Sequence, residues 1–480
     1  MYKNVYNKRG IEPKNIESPF GLDELFFSIT DPKGVILTGN DVFQKVAKME
    51  REELIGKPHN VIRHPDMPRV IFKAVWDTIK AGKPFVGYVK NMAKDGSYYW
   101  VLTAIYPVMD KEGQILRYIS IRLKPSSSIF ELIPGLYKEI LEVEIKEGME
   151  EAAVFMQEKL KELGFENYEE FSKKAFFEEI KSREAILASG QMQSCQVDLT
   201  TVNEENADFI DILCNLQTLF YRINRYFNEI FHKVELFLNL NEELNKKSKF
   251  IYELAEDIRL LSLNASIESY KVKKEGVSFS TLSHEMRKNA ELSERKIVQM
   301  SSLIDDTKKD IEDIGFNILT SKLIIEMITF FIKEMIQNLS NATVTEEKKQ
   351  EVINNINELF NLLSDYSQKL AQNVYVTKSK LRSIFYNIQE LNVMINRLDF
   401  IHINGLIESA HTKEDGGGFN IIFSQMLKLI EAAKQEIVNL ETSILSADEE
   451  NLSVNLITEV AQQKINKIQK DYGEILKAYI

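Results

Sequence analysis

The stretch LSLNASIESYKVKKEGVSF, from Leu261 to Phe279, occurs a second time as IHINGLIESAHTKEDGGGF, from Ile401 to Phe419. The copies are 140 residues apart, which is twenty heptads. A whole number of heptads keeps both copies in phase on a coiled-coil seam, so the repeat predicts two duplicated helical hairpins. The following residues recur without a gap: Asn264, Ile267, Glu268, Ser269, Lys273, Gly276 and Phe279 return as Asn404, Ile407, Glu408, Ser409, Lys413, Gly416 and Phe419.

A heptad pattern of apolar residues surrounds the repeat. Its positions advance in alternating steps of four and three, with one extra step of four before Val374: Val352, Ile356, Leu359, Leu363, Tyr366, Leu370, Val374, Thr377, Leu381, Ile384, Ile388, Leu391, Ile395 and Leu398. This is a coiled-coil seam with one stutter. Breaks at Glu275-Gly276, Asn338–Thr345 and Gly416–Gly418 predict four helices, roughly 205–273, 277–338, 345–413 and 419–478. Two antiparallel hairpins in one chain predict a four-helix coiled-coil bundle.

The repeated residues favour a function at the hairpin tips. A structural coiled coil needs a turn, but it does not need Asn, Ile, Glu and Ser at fixed distances before that turn. The segment from Leu254 to Glu291 resembles the kinase-control tip of methyl-accepting chemotaxis proteins. In that family a long hairpin dimerises into a four-helix bundle, and the tip binds the histidine kinase CheA and the adaptor CheW. Here two tandem hairpins would supply all four helices as a pseudo-dimer, with both tips at one end.

The resemblance implies partner-binding positions on both tips. They are Leu263, Asn264, Ile267, Glu268, Glu275, Gly276 and Phe279 in the first copy, and Asn404, Ile407, Glu408, His411, Gly416 and Phe419 in the second.

Both copies depart from the family pattern. The family's Gln-Thr-Asn is Asp257-Ile258-Arg259 in the first copy and Arg397-Leu398-Asp399 in the second. Either each tip binds half of a partner, or one copy has become structural. Strong methylation-type Glu/Gln pairs are missing from the sequence, so adaptation by methylation stays open. Self-association beyond the pseudo-dimer stays open.

The first quarter of the chain has a different sequence pattern. Short alternating stretches between Gly and Asp turns predict strands at Leu25–Thr30, Val35–Thr38, Phe85–Asn91, Tyr98–Tyr106 and Ile115–Leu123. Val70–Ala81 is the clearest short helix, and this order of elements indicates an α+β domain. The expected domains are an extension (1–19), a sensor domain (20–125), a helical connector (126–201) and the bundle (202–480), which consists of hairpins 202–340 and 341–480. Within the connector, Glu150–Leu163 is a strongly amphipathic helix.

The segment from Asn60 to Val108, with its motif RHPDMP from Arg63 to Pro68, is similar to the PAS domain of bacterial aerotaxis receptors. The resemblance covers roughly 100 residues and implies a PAS fold that holds FAD non-covalently. In that family, redox change of the flavin reports on oxygen or electron transport. The fold class expected for the whole chain is therefore an α+β PAS domain followed by mainly α structure, with long antiparallel hairpins in a four-helix bundle.

The PAS resemblance gives eight candidate cofactor-binding residues: Asn40, Asn60, Arg63, His64, Asp66, Trp76, Asn91 and Trp100. Arg63 and His64 are suited to a phosphate or ribityl group. Asp66 is either a ligand or the N-cap of a helix from Arg69. The two tryptophans either lie beside the flavin ring or pack in the core, and Trp100 takes an inward-type strand position. The three asparagines suit the polar edge of the ring or a turn.

A second cofactor remains open. His59 and His64 are potential axial ligands for haem b, which would make the domain a gas sensor. No metal cluster, catalytic triad, kinase motif or nucleotide-cradling loop is visible in the sequence, so an enzyme is not expected.

Composition limits the remaining classes. The 480 residues include 72 acids and 60 bases, giving a net charge of −12 without a basic block, so nucleic acid and anionic membranes are poor partners. The stretch that comes nearest to a membrane span, Leu323–Ile332, is flanked and interrupted by charges and is too short to span a bilayer. No signal peptide is evident, and Cys195 and Cys214 are expected to be reduced thiols.

We therefore expect a soluble, cytoplasmic sensor for energy taxis that controls a CheA-type kinase through a CheW-type adaptor. The alternative is a PAS-containing scaffold whose degenerate bundle recruits partners without controlling a kinase.

Overall fold

The computed structural model describes residues 10–187, 204–271, 276–341, 345–411 and 417–478. Five strands are present among these residues: β1 (Phe26–Thr30), β2 (Ile36–Gly39), β3 (Phe85–Met92), β4 (Tyr98–Met109) and β5 (Ile115–Leu123). The short helices of the first part are α1 (Asp41–Ala47), α2 (Arg51–Leu54), α3 (Arg69–Lys80), α4 (Ser128–Glu147), α5 (Met149–Glu162) and α6 (Tyr168–Leu187), with a 3₁₀ turn at His59–Ile62. The long helices are α7 (Glu204–Lys271), α8 (Gly276–Asn341), α9 (Glu346–His411) and α10 (Gly417–Ala478).

The five predicted strands form one antiparallel sheet with the order β2-β1-β5-β4-β3. The structure confirms each strand to within a few residues, and the expected α+β class followed by long helices is correct. The turn between β1 and β2 forms because Asp31 Oδ1 accepts hydrogen bonds from the backbone of Lys33 and Val35, both at 2.8 Å. Gly34 completes that turn with φ +82°, a conformation that favours glycine.

Both faces of the sheet are covered, and side chains of β5 alternate between them. Tyr118, Ser120 and Arg122 point to one face, which we call the inner face. Ile119 and Ile121 point to the outer face. Residues directly opposite in antiparallel strands share a face, so Ser28 of β1, which pairs with Ser120, also lies on the inner face.

The predicted connector consists of α4, α5 and α6, and α5 (Met149–Glu162) confirms the predicted helix at 150–163. Two buried glutamates of the connector cap helices. Glu144 of α4 accepts hydrogen bonds from the first two amides of α3, Arg69 N at 3.0 Å and Val70 N at 2.9 Å. Glu179 of α6 accepts from the Ser127 amide at 3.0 Å, just before α4. A carboxylate at a helix N-terminus satisfies amides that the helix itself leaves unpaired.

The chain divides into two compact units. The first unit comprises residues 1–228, 316–367 and 461–480, and thus contains the sheet, α1–α6 and one end of each long helix. Within this unit, the rings of Phe220 and Phe360 pack edge to face at 5.7 Å and join α7 to α9. Asn206 of α7 donates to the Leu339 carbonyl of α8 at 3.2 Å.

The second unit comprises residues 229–315 and 368–460, which are segments of the four long helices. Its core is a continuous apolar cluster with contributions from all four segments. All fourteen predicted seam positions between Val352 and Leu398, in both units, are buried, so the heptad interpretation is confirmed. The helix bounds agree with the prediction except that α8 continues to Asn341, beyond the predicted end at Asn338.

By length and composition, α8 is able to cross a membrane, but 89% of its most apolar stretch is buried among other helices, as in the core helix of a bundle. Cys214 is disulfide-bonded, so the expectation of reduced thiols is wrong for this residue, while Cys195 lies outside the described residues.

Candidate functional site

A cavity of about 290 Å³ lies between the inner face of the sheet and helix α3. Ligand pockets commonly start at about 300 Å³, so this space is enough for a ring system and not for a large ligand as a whole. Its walls are apolar on the α3 side, where Phe72, Val75 and Ile79 line it. The polar lining comes from the strands, from the turn between β1 and β2, and from the segment before α3: Thr30, Lys33, His59, Asn60, Arg63, Asn91, Thr103, Ser120 and Arg122.

Arg122 places a cation inside this cavity. The residue is only 3% exposed, and the rings of Phe26 and Phe43 lie 5.6 and 5.5 Å from its guanidinium. Its Nη2 donates to Ser28 Oγ at 3.1 Å and contacts His59 Nε2 at 2.7 Å. Burial lowers the pKa of Arg122 to about 10, and no carboxylate of the described residues offsets this charge. A buried cation without an anionic neighbour is costly, which makes the cavity favourable for a negative or electron-rich group.

His59 is held neutral beside Arg122. Because the guanidinium is a donor only, His59 Nε2 accepts its hydrogen bond and the ring proton is on Nδ1. Burial and the positive charge of Arg122 lower the pKa of His59 to about 3. The pair therefore keeps one fixed positive charge in the cavity at neutral pH.

On the sheet side of the cavity, two buried polar atoms of the described residues have no hydrogen-bond partner. They are Arg122 Nη1 and Thr103 Oγ1, and both belong to residues on the inner face of the sheet. Buried polar atoms are almost always paired in folded proteins, so these two are available to a bound molecule. Lys33 and Asn60 are exposed lining residues, which marks the solvent side of the cavity. The described lining contains cations but no Asp or Glu.

Four of the eight predicted cofactor residues line the cavity: Asn60, Arg63, Trp76 and Asn91. Arg63 Nη2 donates to the Met67 carbonyl at 2.8 Å, and its guanidinium lies 4.4 Å from the Phe72 ring. The Trp76 ring packs edge to face with Tyr118 at 6.0 Å. It also fills the space that a Cβ on Gly34 would need, only 2.9 Å away.

The other four predicted residues lie outside the lining. Asn40 is buried and makes hydrogen bonds to Phe27, Leu25 and Glu334. His64 is buried, and its Nδ1 accepts from the Asp66 amide at 3.1 Å. Asp66 is exposed and pairs with Lys90 at 2.9 Å. Trp100 packs on Phe130 and Tyr137 of α4.

Two local interpretations are corrected. Asp66 is not the N-cap of α3, because Pro68 takes that position and Glu144 supplies the capping oxygens. Trp100 does not face inward, because it pairs with Lys90 on the strand face opposite to Thr103.

Sequence reasoning missed Thr103, Ser120 and Arg122, and it considered His59 only as a haem ligand. A signal for two of them was present: Ser120 and Arg122 alternate with Ile119 and Ile121, which is unusual in a strand buried on both faces. Among the described residues no group of three His, Cys, Asp or Glu is placed to hold a metal ion.

The two predicted tips lie together in the second unit. The rings of Phe279 and Phe419, one from each copy of the repeat, stack with centroids 3.8 Å apart and an interplanar angle of 12°. Leu263, Ile267 and Ile407 are exposed, although they are large and apolar. Asn404 is partly buried and donates to the Phe400 carbonyl at 2.8 Å.

Of the remaining predicted tip positions, some lie among the described residues and others do not. Asn264 and His411 are exposed, Glu268 and Glu408 are partly buried, and Gly276 is the first residue of α8. Glu275 and Gly416 lie outside the described residues.

Comparisons with known proteins agree with the fold of the N-terminal domain. A family model for the PAS fold matches residues 36–122. The aerotaxis receptor of Escherichia coli (strain K12) is 40% identical over 121 residues, which are 25% of this chain and 24% of the receptor. The biofilm dispersion protein BdlA of Pseudomonas aeruginosa is 27% identical over 90 residues, 18% of this chain and 22% of that protein.

Among solved structures, the light state of the blue-light photoreceptor Aureochrome1 LOV is similar at 23% identity and a TM-score of 0.21, covering 23% of this chain and 88% of that one. The chain thus spans about a quarter or less of the curated relatives named here. These findings define the class: the N-terminal part is a PAS domain of a signalling sensor, similar to that of an aerotaxis receptor.

Proposed function

We propose that the PAS domain binds FAD and that the chain is a redox or oxygen sensor for energy taxis. The observation that carries this proposal is the guanidinium of Arg122, buried in the cavity without an acidic partner and with Nη1 unpaired. The similarity of 121 residues to an aerotaxis receptor gives the taxis context. The cytoplasm as location, and the absence of enzymatic turnover, are part of the proposal.

The residues present fit a flavin. The cavity has room for a ring system between Ile79 and Trp76 of α3 and the strands, and Arg122, Thr103 and Asn91 would offer polar atoms to the edge of such a ring. Arg63 and Lys33, nearer to solvent, are cations suited to the phosphates of FAD. When bound, the flavin would supply a ring whose charge changes with its redox state.

The chain's own residues would respond to that change. Arg122 is charged at neutral pH, because its lowered pKa of about 10 is still well above 7, and its Nη1 is available to a developing negative charge on a ligand. A stronger bond at Nη1 would draw the guanidinium away from Ser28 and His59, to which Nη2 donates in this structure. Arg122 and His59 would therefore convert a change of charge in the cavity into a movement of β5 and β1.

Haem fits the site poorly. His59 is the one histidine of the described lining, and its Nε2 is engaged by Arg122 at 2.7 Å. Its other ring nitrogen carries the proton, so neither nitrogen offers a lone pair to iron. His64, the other candidate, lies outside the lining and accepts from the Asp66 amide.

The output of the sensor would be control of a CheA-type kinase through a CheW-type adaptor at the paired tips. Exposed apolar residues at both tips support this, because clustered apolar side chains at a bundle end favour protein partners. Stacking of Phe279 on Phe419 further supports a single binding end made from both copies.

A scaffold without kinase control is the second candidate. It is favoured by the absence of the family's Gln-Thr-Asn from both tips, where charged residues such as Asp257 and Arg397 stand instead. Such a protein would bind kinase and adaptor without responding to the cofactor.

The absorption spectrum of the purified full-length chain tests the cofactor. We expect an oxidised-flavin spectrum that bleaches with dithionite and is lost in Arg122→Ala. Lys90→Ala is the matched control, since Lys90 is a cation of the same sheet outside the lining. A Soret band, or protein that lacks bound flavin after reconstitution, contradicts the proposal.

Kinase assays with the sensor in each redox state test the output. We expect co-sedimentation with kinase and adaptor, and a kinase activity that differs between oxidised and reduced sensor. Ile267→Ser and Ile407→Ser, made separately, show which tip acts, with Val298→Ser as the control for an exposed apolar residue of α8. Binding without a redox response would favour the scaffold.

A further inference from the structure

We infer that Asn40 is not a cofactor ligand but a relay, which passes the state of the cavity to α8 through Glu334. The inference rests on the proposed function, because it names the route by which that function is regulated. In this route the signal reaches α8 directly from the sheet, and not only through the helical connector.

The relay starts in the cavity. Arg122 Nη2 donates to Ser28 Oγ of β1 at 3.1 Å. The residue before Ser28 is Phe27, whose side chain points to the outer face of the sheet. Any displacement of Ser28 by Arg122 therefore moves the backbone of Phe27 with it, since one rigid peptide unit joins the two residues.

Asn40 connects that backbone to the bundle helix. Its Oδ1 accepts from Phe27 N at 3.0 Å, and its Nδ2 donates to Glu334 Oε2 at 3.0 Å and to the Leu25 carbonyl at 3.1 Å. The side chain is 1% exposed, so water does not compete for these bonds. All three polar contacts of the amide are internal, and this explains why Asn40 is absent from the cavity lining.

Glu334 completes the link on α8. Its Oε1 accepts from Val42 N at 3.0 Å, at the N-terminus of α1, while Oε2 accepts from Asn40. A carboxylate at a helix N-terminus is favourable, so Glu334 holds α1 and Asn40 together. The rings of Phe27 and Phe331 meet edge to face at 5.1 Å one turn earlier on α8. The same backbone position is thus joined to α8 by a polar and an apolar contact.

Two further glutamates, both on α9, hold the outer side of the domain nearby. Glu351 accepts from Arg51 at 2.7 Å and from Thr38 Oγ1 at 2.9 Å. Glu358 pairs with Arg117 of β5. These contacts fix the domain against the helices, so that a shift of Phe27 and Asn40 acts on α8 and is not lost in free movement of the domain.

A polarity swap provides the test. Asn40→Asp alone sets two carboxylates against each other, and Glu334→Gln alone leaves one of the two donors without an acceptor. The double variant Asn40→Asp/Glu334→Gln restores the bond between positions 40 and 334 with donor and acceptor exchanged, and it keeps both the net charge and the acceptor for Phe27 N. The Leu25 carbonyl loses its donor in Asn40→Asp and in the double variant alike, so comparing these two variants isolates the bond to position 334. Glu347→Gln, on the exposed start of α9, is the control for loss of one negative charge.

Hydrogen exchange of residues 331–341 of the full-length chain, measured in the oxidised and the reduced state, is the readout. We expect a difference between the states in the wild type and the control, its loss in both single variants, and its return in the double variant. Bound cofactor should stay within about twofold of wild type in all of them. An unchanged difference in the single variants overturns the relay, as does loss of cofactor in Asn40→Asp that the double variant does not reverse.

A second measurement separates failure of the relay from failure of the proposed function. Exchange of the Val42 amide requires no cofactor, and losing a charged acceptor should speed it by about tenfold or more in Glu334→Ala. If the chain binds no flavin but Val42 behaves this way, the proposed function fails while the link between α1 and α8 stands. Unchanged exchange at Val42 overturns the link itself.

Discussion

The neutral His59 beside Arg122 should make the PAS domain sensitive to acid, and His59→Gln should remove that sensitivity. A glutamine keeps an acceptor for Arg122 and Ser28 but cannot take up a proton. The change therefore removes one titrating group and leaves the contact with Arg122 in place.

The magnitude follows from the pKa of His59, which is lowered from 6.5 in the unfolded chain to about 3 in the folded domain. Between these values the unfolded state binds one more proton than the folded state, so stability is complete above pH 6.5 and is lost as pH falls. The full effect is about 1.36 kcal/mol per pH unit, or about 2.7 kcal/mol from pH 6.5 to 4.5. Because His59 is partly exposed, we expect about half of this or more.

Denaturant unfolding followed by tryptophan fluorescence measures the effect. Trp76 and Trp100 are the only tryptophans of the chain, so the emission reports on the PAS domain. Near pH 8 the free energy of unfolding should change with pH equally in wild type and His59→Gln. Below pH 6.5 it should fall more steeply in the wild type. The control His284→Gln, exposed on α8, should follow the wild type. Parallel curves for wild type and His59→Gln down to pH 4.5 would refute a histidine that is held neutral beside Arg122.

Other predictions address the cavity, the second tip and the relay. Arg122→Lys should bind flavin about tenfold or more less tightly than wild type, because a lysine cannot replace the several donors of the guanidinium. Thr103→Val should lower flavin affinity by a smaller factor. Flavin titration measures both affinities. Gly405→Ala should destabilise the second unit by about 1–3 kcal/mol in thermal unfolding by circular dichroism, since a Cβ there would clash with the Phe423 ring. In a Phe423→Ser background the same change should be neutral or stabilising, and equal effects in both backgrounds would contradict this packing. Burial and nearby Asp41 raise the pKa of Glu334 to about 7, and only the charged form has both oxygens free to accept from Val42 N and from Asn40. Val42 exchange should therefore speed up as pH falls from 8 to 6, after correction for intrinsic rates, but not in Glu334→Gln.

Local patterns were enough to predict the elements. The seam from Val352 to Leu398 was readable because the period of an apolar stripe is set by the geometry of the helix itself. The strands were readable because turn residues such as Asp31 and Gly34 act within a few positions. The pairing of the two tips followed from the 140-residue offset, and Phe279 on Phe419 agrees with it.

The candidate site was only half predictable. The motif around Arg63 led to four residues of the cavity, yet Arg122, which defines its charge, comes from the last strand, 59 positions later. Its importance depends on the strand face it occupies and on the absence of a nearby carboxylate, and both depend on how the strands pair.

The sequence by itself determined the periodic features: which stretches are helices, which are strands, and that one hairpin was duplicated. Only the tertiary structure decided the role of Asn40, because its partner Glu334 lies 294 positions away in the chain. An asparagine has the same donors and acceptors in a flavin pocket and in a buried relay. Which of the two roles it takes depends on the atoms that packing brings within hydrogen-bond distance, and those contacts exist only once the chain has folded.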